Sequence, residues 1–297
     1  SATIPATFTY ITWIKELYLF IGLVSSTSTF YISNNGINWT SYTLPTSCQF
    51  VKWIDQMSSL AFLTTNSVTT PIYLCTINSN NIDLTYLNNN TITNYTNDAI
   101  NNWYSKTSSS NNIWKSIIYS GDLNLFVAVS NSGINNRVMT SPNGHNWTSR
   151  TTPTNNNWTS VCWVSELDLF IAVSNTGTNN RVMTSSDGIS WSSRSSAADN
   201  NWTSICWSPN LNLLVAVSNS GTNNRVMTSP DGISWTSRTS AADNNWTSVC
   251  WSNIGLFVAV ANSGTNNRVM TSPDGITWTS RTTINNNWNS VCWAENI

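Results

Sequence analysis

The residues able to do acid, base or nucleophilic chemistry are few, and most of them are laid out in step. The chain has one histidine, His145. A Ser-His-Asp arrangement would have to use it, and no G-x-S-x-G stretch supplies an exposed nucleophile. Arginines stand at Arg137, Arg181, Arg225 and Arg268, and again at Arg150, Arg194, Arg238 and Arg281. Asp187, Asp231 and Asp274 each precede a glycine at matching places. A glycosidase centre brings unlike groups together once, typically two carboxylates at a set separation. Groups repeated at equal intervals serve a scaffold, and a guanidinium in such a place can bond loop carbonyls between neighbouring units. Cys162, Cys206, Cys250 and Cys292 follow the same rhythm, one per unit, which separates them too far for pairing. No CxxC spacing is present. Neither a metal nor a cofactor is expected, and the chain reads as a non-enzyme.

That rhythm comes from the elements carrying these residues. Trp114, Trp158, Trp202 and Trp246 stand 44 residues apart. A fixed period of this size marks a supersecondary unit that stacks on its copies to bury a shared core. Within the copy from Trp202, the run WTSICW has strand length. LLVAVS (213–218) is dense, Val-rich and too short for a helix. RVMTS (225–229) and ISWTSR (233–238) complete four strands. The turns between them, SPNLN, NSGTNN and PDG, hold the residues that favour tight reversals. Four short strands per period predict an all-β fold: a β-propeller of six four-stranded blades, with seven as the alternative count.

Ser229, Asp231, Gly232 and Trp235 resemble the Asp-box of sialidase-like propellers, in the spacing S-x-D-G-x-x-W. Ser141-Asn143-Gly144-Trp147, Ser185-Asp187-Gly188-Trp191 and Ser272-Asp274-Gly275-Trp278 match it, and Ser33-Asn35-Gly36-Trp39 is a degenerate version. The resemblance implies a structural turn between the third and fourth strands. Its acidic side chain would bond turn amides and its Trp would fill a gap between blades. The repeat wording is also similar to tandem repeats in proteins of large DNA viruses and phages. Sialidases use an arginine cluster, a tyrosine nucleophile and acidic partners, each supplied once. The repeated arginines here do not fit that pattern, so sialidase-like hydrolysis is the weakest of the functional expectations.

The spacing divides one propeller, residues 1–297, into blades at about 8–47, 48–113 (with a polar insertion at 78–102), 114–157, 158–201, 202–245 and 246–287. An extra first strand is expected at 288–293. Hydrophobic residues make up 40% of the chain, including 17 Trp, which is ample for such a core. Charged residues are only 8%, far below the roughly 25% of ordinary globular proteins. A net charge of −1 gives no footprint for nucleic acid. No apolar run approaches the ~20 residues of a membrane span.

Binding is therefore the leading functional expectation. In a propeller the loops joining strands two to three share a face with those joining strand four to the next blade. Here those loops are the Asn-rich NSGTNNR and TSAADNNW. Their amides, with a Trp at each strand start, could serve a sugar through hydroxyl pairing and ring stacking. The candidate ligand residues are Asn179, Asn180, Arg181, Trp202, Asn223, Asn224, Arg225, Trp246, Asn266, Asn267 and Arg268. The partner expected is a glycan or another protein, with self-association as a further route and neither nucleic acid nor membrane insertion. The alternative is a structural component of a virion, appendage or surface assembly. By location, a virion or an extracellular surface is favoured over a membrane.

Overall fold

The computed structural model describes residues 8–14, 19–24, 27, 29–43, 48–54, 59–64, 72–76 and 103–294. The chain opens with β1 (Tyr10–Ile14), β2 (Leu19–Leu23), β3 (Thr29–Ser33) and β4 (Thr40–Thr43), then β5 (Cys48–Ile54), β6 (Ser59–Thr64), β7 (Ile72–Thr76) and β8 (Trp103–Lys106). The regular part begins with β9 (Trp114–Ser120), β10 (Leu125–Ser130), β11 (Val138–Ser141) and β12 (Thr148–Arg150). Next come β13 (Trp158–Val164), β14 (Leu169–Ser174), β15 (Val182–Ser185) and β16 (Ser192–Arg194). Then follow β17 (Trp202–Ser208), β18 (Leu213–Ser218), β19 (Val226–Ser229) and β20 (Thr236–Arg238). The last are β21 (Trp246–Ser252), β22 (Leu256–Ala261), β23 (Val269–Ser272) and β24 (Thr279–Arg281). One three-residue 3-10 turn, Ser165–Leu167, is the only helical element among the described residues.

Consecutive strands pair antiparallel, so each group of four is a simple up-and-down sheet. First strands lie beside first strands, β9 against β13, β13 against β17 and β17 against β21. The sheets thus radiate as propeller blades.

The blade count is where the structure departs from expectation. The expected propeller of six four-stranded blades, with seven as the alternative, is corrected to an all-β five-bladed propeller of four-stranded antiparallel blades. Five sheets, β1–β4 and the four groups from β9 to β24, are compact blades of about 44 residues. The sheet β5–β8 departs from that plan, because residues 77–102 intervene between its third and fourth strands. The expected insertion at 78–102 lies outside the described residues. Among the described residues there is no seventh sheet, and the strand expected at 288–293 is not a strand. That segment lies along the β21–β24 sheet through isolated hydrogen bonds. Trp288 N donates to Ala261 O at 3.3 Å, and Val291 N donates to Ser248 Oγ at 3.2 Å.

The core lies between blades rather than within one. Every residue of β18 after Leu213 is buried, because stacked neighbours cover both faces of the strand. Val164, Ile171, Val173 and Val182 of one blade pack against Trp202, Ile205, Leu214, Ala216 and Met227 of the next. The same arrangement joins Val215, Val217 and Val226 to Trp246, Phe257, Ala259 and Met270. This explains the unbroken apolar run LLVAVS, since alternation appears only where one face meets water.

Two strand boundaries differ from the sequence reading for local reasons. The fourth strand begins at Thr236 rather than Ile233, because the preceding turn consumes three more residues. The third begins at Val226 because Arg225 turns into the loop above it. The turn itself is a local clamp. Asp231 Oδ1 accepts from the amides of Ile233 (2.8 Å) and Ser234 (2.7 Å) and from Ser229 Oγ (2.9 Å). Trp235 Nε1 donates to Gly232 O at 3.2 Å. Gly232 takes φ +72° beneath Ile171 of the preceding blade, where a side chain would be both strained and crowded.

Candidate functional site: the loop face and the axial cavity

On the Asn-rich face the loops are stitched from blade to blade, most regularly through Asp199-Asn200-Asn201. Asp199 Oδ1 accepts from Asn179 N at 2.7 Å and lies 3.7 Å from Arg181 Nε, both in the blade behind. Asn200 Nδ2 donates forward to Asn224 O (2.8 Å) and Asn224 Oδ1 (3.1 Å). Asn201 Oδ1 accepts from Arg181 Nη1 at 3.0 Å, while its amide donates forward to Ser220 Oγ at 2.8 Å. Arg181 also donates to Gly177 O and Asn175 O. Burial pulls its guanidinium below the ordinary arginine value, and Asp199 acts in the opposite sense. Arg225 and Arg268 repeat the arrangement through Gly221 O and Gly264 O.

This places each residue that the sequence singled out for ligand contact. Asn180, Asn224 and Asn267 accept from the preceding loop's Asn through both backbone and side-chain oxygens. Arg181, Arg225 and Arg268 donate from Nε and Nη1 to loop oxygens. Asn179, Asn223 and Asn266 hold left-handed φ angles of 57°, 56° and 58°, with exposed side chains. Trp202 and Trp246 are fully buried, each 0% exposed. Their indole N–H groups donate to Ala198 O and Ala242 O. Neither ring presents a face for stacking, so their role as a sugar platform is corrected to that of inter-blade core. A strand-start Trp is drawn in because its large apolar surface sits where two blades meet.

A second feature went unread in the sequence. A cavity of about 560 Å³ is lined by Thr9, Tyr10, Lys115, Ser116, Thr159, Ser160, Thr203, Ser204, Thr247, Ser248, Asn289 and Ser290. These come from the first strands of successive blades and from the segment after β24, so the cavity lies on the propeller axis. Thr203 and Ser204 are adjacent, yet both reach it. A β-bulge explains this, because the β17–β18 register shifts between Trp202 and Ser204. The same shift occurs at Trp158/Ser160 and Trp246/Ser248.

The hydroxyls also tie the first strands together. Thr159 Oγ1 donates to Trp202 O at 2.8 Å, and Thr203 Oγ1 to Trp246 O at 2.8 Å. Ser116, Ser160, Ser204 and Ser248 Oγ accept from the amides of Val161, Ile205, Val249 and Val291 at 3.2 to 3.4 Å. The sequence signal for this was Thr-Ser at one place in successive units, polar side chains on an otherwise apolar strand.

Cys162, Cys206 and Cys250 lie on the same first strands as free thiols. Burial pushes the Cys162 and Cys250 thiols up to about 12. Burial does the same to Cys206, with Cys250 and Cys162 adding to it. They pack as small apolar groups. Among the described residues no group of three or more His, Cys, Asp or Glu could hold a metal.

No protein-family model matches the sequence, and no curated protein matches it either. Solved structures do. A streptogramin B lyase structure aligns over 97% of this chain and 88% of its own, with a TM-score of 0.76 and 8% identity. The GH74 enzyme of Niastella koreensis aligns over 93% of this chain but only 45% of its own, with a TM-score of 0.67 and 15% identity. YCF48 bound to a D1 peptide aligns over 93% and 78%, with a TM-score of 0.58 and 13% identity. At such identities the likeness is one of fold, and the chain is a β-propeller by architecture. These three, a lyase, a GH74 enzyme and a peptide-bound protein, differ from one another.

Proposed function

We propose that the chain is an Asp-box-type propeller acting as a non-catalytic binding module, taking a small hydroxyl-rich ligand, of monosaccharide size, into its axial cavity. The observation carrying this reading is the hydroxyl lining. At about 560 Å³ the cavity falls within the ~300–1,000 Å³ of small-molecule sites. Its Ser and Thr side chains can both donate to and accept from sugar hydroxyls. The described lining residues carry no carboxylate, which supports binding over glycoside hydrolysis. The Asp-box reading is supported by the turn clamps at Asp187, Asp231 and Asp274. Isothermal titration with a panel of monosaccharides tests the proposal. Saturable binding that is lost in Ser204→Val supports it, and binding unaffected by that change refutes the cavity as the site.

A second reading, interaction with a protein or with further copies of the chain, is favoured by one observation. The Asp-box turns expose Ile37, Ile189, Ile233 and Ile276 at equivalent places on the opposite face. Light scattering of wild type against a variant with all four changed to Ser tests it, with a drop in assembled mass as the expected result.

A further inference from the structure

The turns on the Asp-box face carry charge of one sign. Among the described residues they hold Asp122, Glu166, Asp168, Asp187, Asp231 and Asp274, and neither Lys nor Arg. The exposed Ile189, Ile233 and Ile276 each stand two residues after one of these aspartates. The loop face has the opposite charge, unevenly spread. Arg181 and Arg225 have Asp199 and Asp243 beside them, at 3.7 and 3.6 Å. Beside Arg137 and Arg268 the places of those aspartates are taken by Asn155 and Asn285, which accept from Asn135 N and Asn266 N just as the aspartates accept from Asn179 N and Asn223 N. Among the described residues, the guanidiniums of Arg137 and Arg268 bond only neutral oxygens. The same loops expose Ile134 (79%) and Ile284 (65%). Thr178 and Thr222 stand where Ile134 does, and Ala198 and Ala242 where Ile284 does. An isoleucine thus comes to the surface where an arginine lacks its carboxylate.

We propose that the loop face of one copy of the chain docks on the Asp-box face of another, head to tail. This deepens the second reading above by naming the partner and both surfaces. Charge complementarity selects a second copy in this orientation. One face offers isoleucine beside a carboxylate, the other isoleucine beside an uncompensated guanidinium, so apolar contact and opposite charges form together. Pairing two Asp-box faces would set acid against acid, and pairing two loop faces would set arginine against arginine. Because the two surfaces differ, the contact is heterologous. Each added copy leaves one face of each kind free, and the assembly grows as an open stack unless its rotation closes. A net charge of −1 puts little overall repulsion in the way of such growth.

Light scattering of wild type and two variants tests this. Ile134→Glu/Ile284→Glu removes apolar contact from the loop face and sets a carboxylate in the loops of each uncompensated arginine. Ile189→Ser/Ile233→Ser/Ile276→Ser strips the apolar side chains from the other face. All the replaced side chains are exposed, and circular dichroism confirms that both variants fold. The mass of wild type should rise with protein concentration and fall with added salt. Either variant alone should have the mass of one chain. An equal mixture of the two should reach about twice that mass and go no further, because each keeps the face the other lacks. Assembly of the loop-face variant to the wild-type mass, or a mixture that stays at one chain, overturns the head-to-tail contact and leaves the second reading standing. Wild type that keeps the mass of one chain at every concentration overturns both.

Discussion

The two faces of the propeller are both held by hydrogen bonds of Asp and Asn residues, on different length scales. On the Asp-box face, Asp231 bonds Ile233, Ser234 and Ser229, all within its own turn. On the loop face, Asp199, Asn200 and Asn201 reach alternately to the blade behind and the blade ahead. The first device shapes one blade. The second holds blades to each other. Stability in repeat architectures is close to a sum of unit terms and nearest-neighbour terms, and the two faces divide these between them. Perturbing the loop face should therefore cost more than perturbing an Asp-box turn.

The tryptophans give the largest contrast. Trp202 starts an inner strand on the loop face, is fully buried, and packs into the neighbouring blade's apolar side chains. Trp202→Ala should destabilise the protein by roughly 3–5 kcal/mol, as is usual for an aromatic removed from a core. Trp235, on the other face, is half-buried and bonds only its own turn, so its truncation should cost about 2 kcal/mol. Urea denaturation of the two variants measures this. Equal losses would break the distinction between the faces.

Arg181 sharpens it further. Its guanidinium bonds Gly177 O, Asn175 O and Asn201 Oδ1, and removal would leave those oxygens with fewer partners. Arg181→Met should cost about 2–3 kcal/mol, mainly from charge-assisted bonds. The ion pair with Asp199, partly exposed and 3.7 Å long, adds little. Thermal unfolding of Arg181→Met beside Asp199→Ala separates the contributions, and the second variant should lose clearly less. The thiols provide a check that is independent of either face. With burial raising Cys162, Cys206 and Cys250, Ellman's reagent should label them only after denaturation, and rapid labelling of the native protein would show that the inner strands are open.

Much of this division was legible in the sequence, and the illegible parts have physical causes. The run 213–218 could be read as a strand because its length and β-branched content leave no helical alternative. Asp231-Gly232 could be read as a turn because the local chemistry is complete within four residues. Arg181 was correctly read as capable of bonding loop carbonyls. What could not be read was occupancy. Asn224 looks like an available amide until Asn200, from the loop ahead of its blade, is found bonded to it. Trp202 looks like a binding surface until the blade beside it covers the ring. The axial lining was missed because a regular strand sends Thr203 and Ser204 to opposite faces. Only the bulge opposite Ser218 and Val217 brings both to the axis. Blade count failed for a different reason, since the residues between Thr76 and Trp103 set the β5–β8 sheet apart from the 44-residue plan of the others.

The smallest effects should come from the Asp-box carboxylate, and they carry a pH signature. Burial is the largest single influence on Asp231 and raises its pKa. The Ser234 and Ile233 amides and the Ser229 hydroxyl together outweigh burial, leaving it below the ordinary aspartate value. Asp187 and Asp274 behave alike. A carboxyl with a depressed folded pKa stabilises the protein above its unfolded value, ~3.9, and that contribution is lost as pH falls from there through the folded value. Asp231→Ala, which removes the acceptor, should cost about 1–2 kcal/mol at neutral pH. Asp231→Asn keeps an equivalent oxygen, and blade three already works this way: Asn143 Oδ1 accepts from His145 N at 2.9 Å and Asn146 N at 3.0 Å. The Asn variant should therefore lie within ~0.5 kcal/mol of wild type and lose less stability than wild type on acidification below about pH 4. Should Asp231→Asn instead lose as much as Asp231→Ala at neutral pH, the turn would depend on charge rather than on a shared acceptor. The likeness between Asn143 and its aspartate counterparts would then be one of shape alone.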